Sequence, residues 1–191
     1  MIDLRNKSLP DTITVNGKDF LIKTDFRSWL KFSTMIEEER PLSDYLFLLE
    51  DVEGNIPLDN FFPQLVQFYT NPNSTPKNIN STSTDRIVDY IEDGEYIVAS
   101  FMQDYGIDLT EVEDMHWHKF KALFAGLSDN TKIKQIMSMR SYRKNKKSYE
   151  AQCEENKKVW ALPHHTRQVS ADTMDEINEL FYNSVYEGTK T

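Results

Sequence analysis

The stretch that decides the architecture is Thr12-Ile13-Thr14-Val15-Asn16-Gly17-Lys18-Asp19-Phe20-Leu21-Ile22-Lys23-Thr24-Asp25-Phe26-Arg27-Ser28-Trp29. Thr12–Val15 is β-rich, and Asn16-Gly17 supplies the two positive φ angles of a type I′ turn. Phe20-Leu21-Ile22 returns, so a β-hairpin is predicted. A lone hairpin is marginal in water and must lie against something. The expected support follows at once. Thr24 is placed to cap a helix, Asp25 sits in its first turn, and Phe26, Trp29, Leu30, Ser33 and Ile36 share one helical face. Glu37, Glu38 and Glu39 oppose the dipole at its far end, and Pro41 marks the stop.

Working outward, the rest of the chain reads as helices. Tyr45 to Leu49 predicts a short helix ended near Gly54. Residues 58–69 predict another, with Phe61, Phe62, Leu65, Val66 and Tyr69 inward and Pro63 limiting how far back it extends. Asn71 to Thr84 turns abruptly to Asn, Ser, Thr and Pro, the composition of an exposed loop or linker. Thr84 is placed to cap a helix over 85–105 carrying Ile87, Ile91, Ile97, Val98, Phe101 and Tyr105. Gly94 would weaken its middle by about 1 kcal/mol relative to alanine, and Gly106 suits its C-terminal end.

Thr110-Glu111-Val112-Glu113 has the form of a capping box, ahead of the stripe Trp117, Phe120, Phe124 and Leu127. Ser128 or Asp129 opens a further helix with Ile133, Ile136, Met137 and Arg140 aligned. A polar arm continues to Trp160 and Leu162, where Pro163 stops it. Thr173–Glu176 is a second capping box before an amphipathic helix bearing Met174, Ile177, Leu180, Phe181 and Val185. The expected fold is mainly α: a helical domain with an N-terminal β-hairpin as its minor α+β element. Its segments are 1–70 (hairpin and helices), 71–84 (polar linker), 85–143 (helical core) and 144–191 (C-terminal helical arm). No internal repeat and no coiled-coil heptad run is visible.

Composition bounds the function. A chain of 191 residues buries roughly 70% of its extended surface on folding and needs no disulfide or metal for stability. Eleven Phe, nine Tyr and three Trp supply bulky core material. A net charge of −9 argues against nonspecific binding to nucleic acid or an anionic membrane. Cys153 is the single cysteine, which fits a reducing cytoplasm. Residues 1–11 hold no apolar run of a signal peptide, and no stretch approaches the roughly 18 apolar residues of a membrane span.

No catalytic or metal constellation emerges. On a continuous helix His116 and His118 would point about 200° apart, as surface histidines that chelate poorly together. Cys153 and the pair His164-His165 match no zinc spacing. Phosphate-binding and nucleophile-elbow motifs are missing, so the expectation is a non-enzymatic protein with no cofactor. Charge is segregated. Ten carboxylates and only Arg86 lie between Asp85 and Asp114, whereas nine basic residues and the lone acid Asp129 lie between Lys119 and Lys147. Two solvated helix faces, or a complementary pair within the fold or between subunits, account for this equally. The Arg140-to-Lys147 cluster has no interleaved aromatic beyond Tyr142, short of what a nucleic-acid site carries.

Two segments together resemble a family of long-tailed bacteriophage proteins. One is Leu21-Ile22-Lys23-Thr24-Asp25-Phe26-Arg27-Ser28-Trp29; the other is Asp114-Met-His-Trp-His-Lys-Phe-Lys-Ala-Leu-Phe-Ala-Gly-Leu127 with the isoleucine-rich helix to Arg140. They flank an acidic helix ending Tyr105-Gly106-Ile107-Asp108-Leu109, and the resemblance spans roughly residues 10–145. Trp117, Phe120, Gly126, Leu127 and Arg140 have counterparts in that family, but His118 stands where relatives carry a second aromatic. Genes of this family lie between the tail tube and the tape measure, the usual place for tail assembly chaperones.

The resemblance implies a chaperone that binds the tape measure protein and keeps it soluble in the host cytoplasm, with the tail tube protein and self-association as further partners. Such a protein would be absent from the mature virion. Related chaperones occur as two products sharing an N-terminal part, which makes the C-terminal arm a place for partner-specific contacts. A holder of amphipathic helices needs grooves and easy release; a micromolar site, about −8 kcal/mol, suffices where many copies line one chain. The expected partner-binding residues are Ile177, Leu180 and Phe181, with whatever part of Trp117, Phe120 and Phe124 stays exposed, and Arg140. A structural tail or connector subunit is the alternative. An enzyme with scattered carboxylates is the remaining class.

Overall fold

A computed structural model describes residue 5 and residues 8–50, 58–70, 86–142 and 150–162. These residues fall into two compact units. One comprises the described residues up to 70 together with 114–125, and the other 86–113 with 126–162. The fold is mainly α with a minor β-hairpin.

In the first unit, β1 (Thr12–Val15) and β2 (Lys18–Leu21) pair antiparallel, with Thr12 opposite Leu21 and Val15 opposite Lys18. Asn16 and Gly17 take φ of 51° and 78°, as the turn type demands. Ile13, Val15 and Phe20 are buried while Thr12 and Thr14 face out. The support for β1 is α2 (Leu58–Thr70) rather than the helix that follows the hairpin directly. On the far side of β2, Lys23 donates its N–H to Leu48 O and Glu50 donates to Leu21 O.

Helix α1 (Phe26–Glu37) is capped by Asp25, whose carboxylate accepts from the Ser28 N–H at 3.0 Å. Thr24, the expected cap, instead gives its carbonyl to the Trp117 N–H. Phe26, Trp29, Phe32, Met35 and Ile36 are buried. Leu30 and Ser33, expected inward, are only half-buried because the core contacts the adjoining ridge. Leu42–Leu48 is a 3-10 segment rather than an α-helix, burying Tyr45 and Leu48. Helix α2 matches the expected 58–69 span, with Pro63 within its first two turns. It buries Phe61, Leu65, Phe68 and Tyr69, with Phe62 and Val66 at the margin.

In the second unit the expected 85–105 helix is shorter. Helix α3 spans Gly94–Tyr105, so Gly94 is its first residue and no mid-helix bend arises. Asp89 is the cause. Its carboxylate accepts from the Ile91 and Glu92 N–H groups, while Asp93 accepts from the Asp89 N–H, and this self-bonded turn competes with helix. Ile91 is consequently 70% exposed. Gly106 ends α3 with φ of 65°, as its sequence position suggests.

The Thr110–Glu113 capping box opens no helix. Asp108 accepts from both the N–H and the hydroxyl of Thr110, forming a turn, and α4 (Trp117–Ala125, in the first unit) starts four residues later. Helix α5 spans Lys132–Arg140 with Thr131 rather than Ser128 or Asp129 as its cap residue. One of its free N-terminal N–H groups, that of Ile133, finds the Ser100 hydroxyl of α3 at 3.3 Å. Helix α6 spans Glu150–Val159. The linker 71–84, the cap Thr84, Gly54 and the amphipathic segment 173–185 lie outside the described residues.

Candidate functional site

The first segment that carries the family resemblance and the Asp114–Ala125 part of the second meet in the first unit. Asp25 and His116 form an antiparallel bridge, in which Phe26 donates to Met115 O at 2.9 Å and Trp117 donates to Thr24 O at 2.6 Å. This bridge lays α4 against α1. Phe26 stacks on Phe120 at 4.9 Å, Phe120 on Trp117 at 5.8 Å, and Trp117 on Tyr69 at 5.1 Å. Trp29 continues the stack against Phe68 at 4.6 Å, and Phe68 against His118 at 4.4 Å. Each aromatic pair contributes about 0.5–1.5 kcal/mol beyond burial.

Helix α2 leaves its last carbonyls without partners of their own, and α4 supplies donors for three in succession. His118 Nε2 lies 2.9 Å from Phe68 O, Trp117 Nε1 donates to Tyr69 O at 2.9 Å, and Lys121 Nζ donates to Tyr69 O and Thr70 O at 2.9 and 2.8 Å. A cation at a helix C-terminus also complements the dipole. Burial pushes the Lys121 ammonium down to about 7 and the His118 imidazole down to about 4. His118 Nδ1 is buried with no hydrogen-bond partner among the described residues, which offer the ring no second acceptor for a charged form.

His116 precedes α4 rather than lying on it, so the two rings are 5.1 Å apart instead of back to back. Its Nδ1 accepts from the His118 N–H and its Nε2 meets Pro10 O, which fixes the neutral tautomer. Neither is a surface histidine: His118 is buried and His116 half-buried.

Trp117, Phe120 and Phe124 are at most 1% exposed, so the stripe is core and leaves no exposed part for a partner. Arg140 is equally internal, in the second unit. Its guanidinium holds both Asp93 oxygens at 2.5 and 2.8 Å, Ile87 O at 2.9 Å and Trp160 O at 2.6 Å. One acid-rich and one base-rich residue are therefore joined within the fold. Alignment of Arg140 with Ile133, Ile136 and Met137 was the available signal, since a charge on an apolar face requires a buried partner. Ile177, Leu180 and Phe181 lie outside the described residues.

Lys31, Thr34, Met35, Glu38, Arg40, Asp44 and Phe47 line an open groove of about 500 Å³ on the first unit. Lys31 lies 4.6 Å above the Phe47 ring, and Arg40 pairs with Glu38 at 2.9 Å. Among the described residues no three His, Cys, Asp or Glu side chains converge to hold a metal ion. No described helix is long and apolar enough to cross a membrane.

A family model described as Bacteriophage Gp15 protein matches residues 5–162. No curated protein and no solved structure matches. The match takes in both motif segments, the α2–α4 junction and the Arg140 cluster, and it ends just beyond Trp160. The chain belongs to the bacteriophage Gp15 protein family.

Proposed function

We propose that the protein is a tail assembly chaperone, which binds the tape measure protein and keeps it soluble while tail tube subunits enclose it. The observation that carries this reading is the joining of the two resemblance segments through the Asp25–His116 bridge and one aromatic stack. Residues that had looked like separate motifs are one physical element. Membership of a bacteriophage protein family supports the setting.

The chemistry of the buried polar groups fits a binding protein. His116, His118, Lys121 and Arg140 all serve main-chain carbonyls or a carboxylate that hold helices together. Partner contact then falls to surface features: the Lys31–Phe47 groove, which the Arg40–Glu38 pair also lines, and the sequence-amphipathic residues Ile177, Leu180 and Phe181. A groove of this kind suits an amphipathic helix held weakly and released readily.

Co-expression with the tape measure protein of the same phage tests the reading. The expected result is a raised soluble yield and co-purification, both reduced by replacing Ile177, Leu180 and Phe181 with serine. Unchanged yield without co-purification sinks the proposal. Abundance of the protein in purified particles points instead to a tail or connector subunit.

A further inference from the structure

Helix α3 is apolar on two sides. Inward it gives Ile97 and Phe101 to the core of the second unit. Outward, Glu95, Val98, Ala99 and Met102 recur at three- and four-residue spacing and so share one face. Glu95, Ala99 and Met102 are exposed, and Val98 is half-buried. Ile91 stands four residues before Glu95, in the Asp89 turn that a Gly94 N–H to Ile91 O bond joins to α3, and it extends this face. Leu21, Ile91, Met102 and Val159 are the exposed large hydrophobic side chains among the described residues, and two of the four lie here, at 70% and 45%. A helix with apolar residues on both sides is normally covered on both. Glu95 complements the dipole at the start of α3, but Ile91 and Met102 forgo the stabilisation that burial would give them.

The charge around this face has one sign. No lysine or arginine occurs from residue 87 to residue 118. Glu92 and Glu95 are exposed, and neither forms an ion pair among the described residues. That selects the occupant. A second copy of the same face would bring four carboxylates into one interface with no cation to meet them. The chain's own amphipathic segment carries Asp175, Glu176 and Glu179, again the same sign. Like charges set against each other disfavour both arrangements, and opposite charge favours a basic partner.

We propose that this face of α3 docks a basic amphipathic helix of a partner protein, whose apolar stripe covers Ile91, Val98 and Met102 and whose lysines or arginines meet Glu92 and Glu95. Ala99, small and central, lets the two helices approach closely. The site belongs to the second unit, whereas the Lys31–Phe47 groove lines the first, so it does not depend on the chaperone reading.

The test uses the full chain and a synthetic helix with leucine along one face and lysine along its flanks, beside a counterpart with glutamate for lysine. The lysine helix should bind, less tightly as salt is raised, and the glutamate helix about tenfold or more weakly than that. Ile91→Ser with Met102→Ser should weaken the lysine helix about tenfold. Leu21→Ser, which alters a similarly exposed side chain of the first unit, should leave it unchanged. Glu92→Lys with Glu95→Lys should reverse the preference between the two helices. Both double exchanges touch only exposed side chains, and should one fail to fold the other decides. The proposal is overturned if the lysine helix does not bind, if both helices bind alike, if Leu21→Ser weakens binding as much as the α3 exchanges do, or if the preference does not reverse. Sedimentation addresses the rival occupant: a dimer that Ile91→Ser with Met102→Ser converts to monomer overturns it in favour of a second copy. No readout involves a tape measure protein, so failure of this site and failure of the chaperone reading are separable.

Discussion

The two units solve the same problem with different materials. The first holds its helices by stacked rings, Phe26–Phe120–Trp117–Tyr69 and Trp29–Phe68–His118, and uses α4 side chains to close the end of α2. The second has a core of Ile97, Phe101, Leu109, Leu127, Ile133, Ile136 and Met137, pinned by one guanidinium. The basic groups buried among the described residues of the first unit are His118 and Lys121, whose protonated forms burial disfavours; the second unit buries the Asp93–Arg140 ion pair, besides Asp89 and Lys134. His118 and Lys121 should make the first unit respond to pH, and the second should respond most to loss of the Arg140 charge.

The largest effect is expected for Arg140→Ala. It leaves Asp93 buried and unpaired, and removes donors from Ile87 O and Trp160 O, costing about 3–5 kcal/mol. Chemical denaturation gives the loss, and hydrogen exchange should rise more in α3, α5 and α6 than in α1, α2 and α4. An equal rise in all six would break the comparison. Next comes Trp117→Phe, which keeps the stack but deletes the indole N–H on Tyr69 O and leaves space in a fully buried site, a loss of about 1–3 kcal/mol.

Lys121→Met should change stability at neutral pH by only about 1 kcal/mol, but its effect on pH dependence is diagnostic. The ammonium titrates at 10.5 when unperturbed and at about 7 when folded. Between those values the unfolded chain holds the extra proton, so stability rises with pH across that window. The substitution should flatten the rise, as followed by denaturant titrations from pH 7 upward. A curve parallel to that of the unaltered chain would contradict the burial of Lys121.

His118→Phe keeps the ring stacked on Phe68 but takes the donor from Phe68 O, so its loss at neutral pH is about 1 kcal/mol. Below pH 6.5 the unaltered chain should lose stability down to about pH 4, since protonation there favours the unfolded state. The phenylalanine variant should lack this loss, read from melting temperatures across that range.

Legibility in the sequence varied with how local the cause was. Asn16-Gly17 and Gly106 could be read directly, because a positive φ is a property of one or two residues. The stripe Ile133, Ile136, Met137 and Arg140 was equally visible as a period. The cap box Thr110–Glu113 misled because Asp108 reaches Thr110 first, and Thr84–Tyr105 misled because Asp89 does the same for Ile91 and Glu92. In both cases a short acidic side chain offered the backbone a turn that a helix template ignores. His118 and Lys121 stayed hidden for another reason. Their partners are carbonyls 50 to 52 residues away, and a carbonyl has no letter in the sequence.

What the sequence determined alone is the inventory: a hairpin, helices with apolar stripes, an acidic chain with one cysteine, and two motif segments that travel together. Tertiary structure decided which of those parts touch. It closed the Trp117 stripe into a buried aromatic stack and set Arg140 of the base-rich segment against Asp93 of the acid-rich one. Local rules act through bonds between near neighbours and can be read from order. The pairing of distant segments depends on which carbonyls and ring faces remain unsatisfied once the chain has folded.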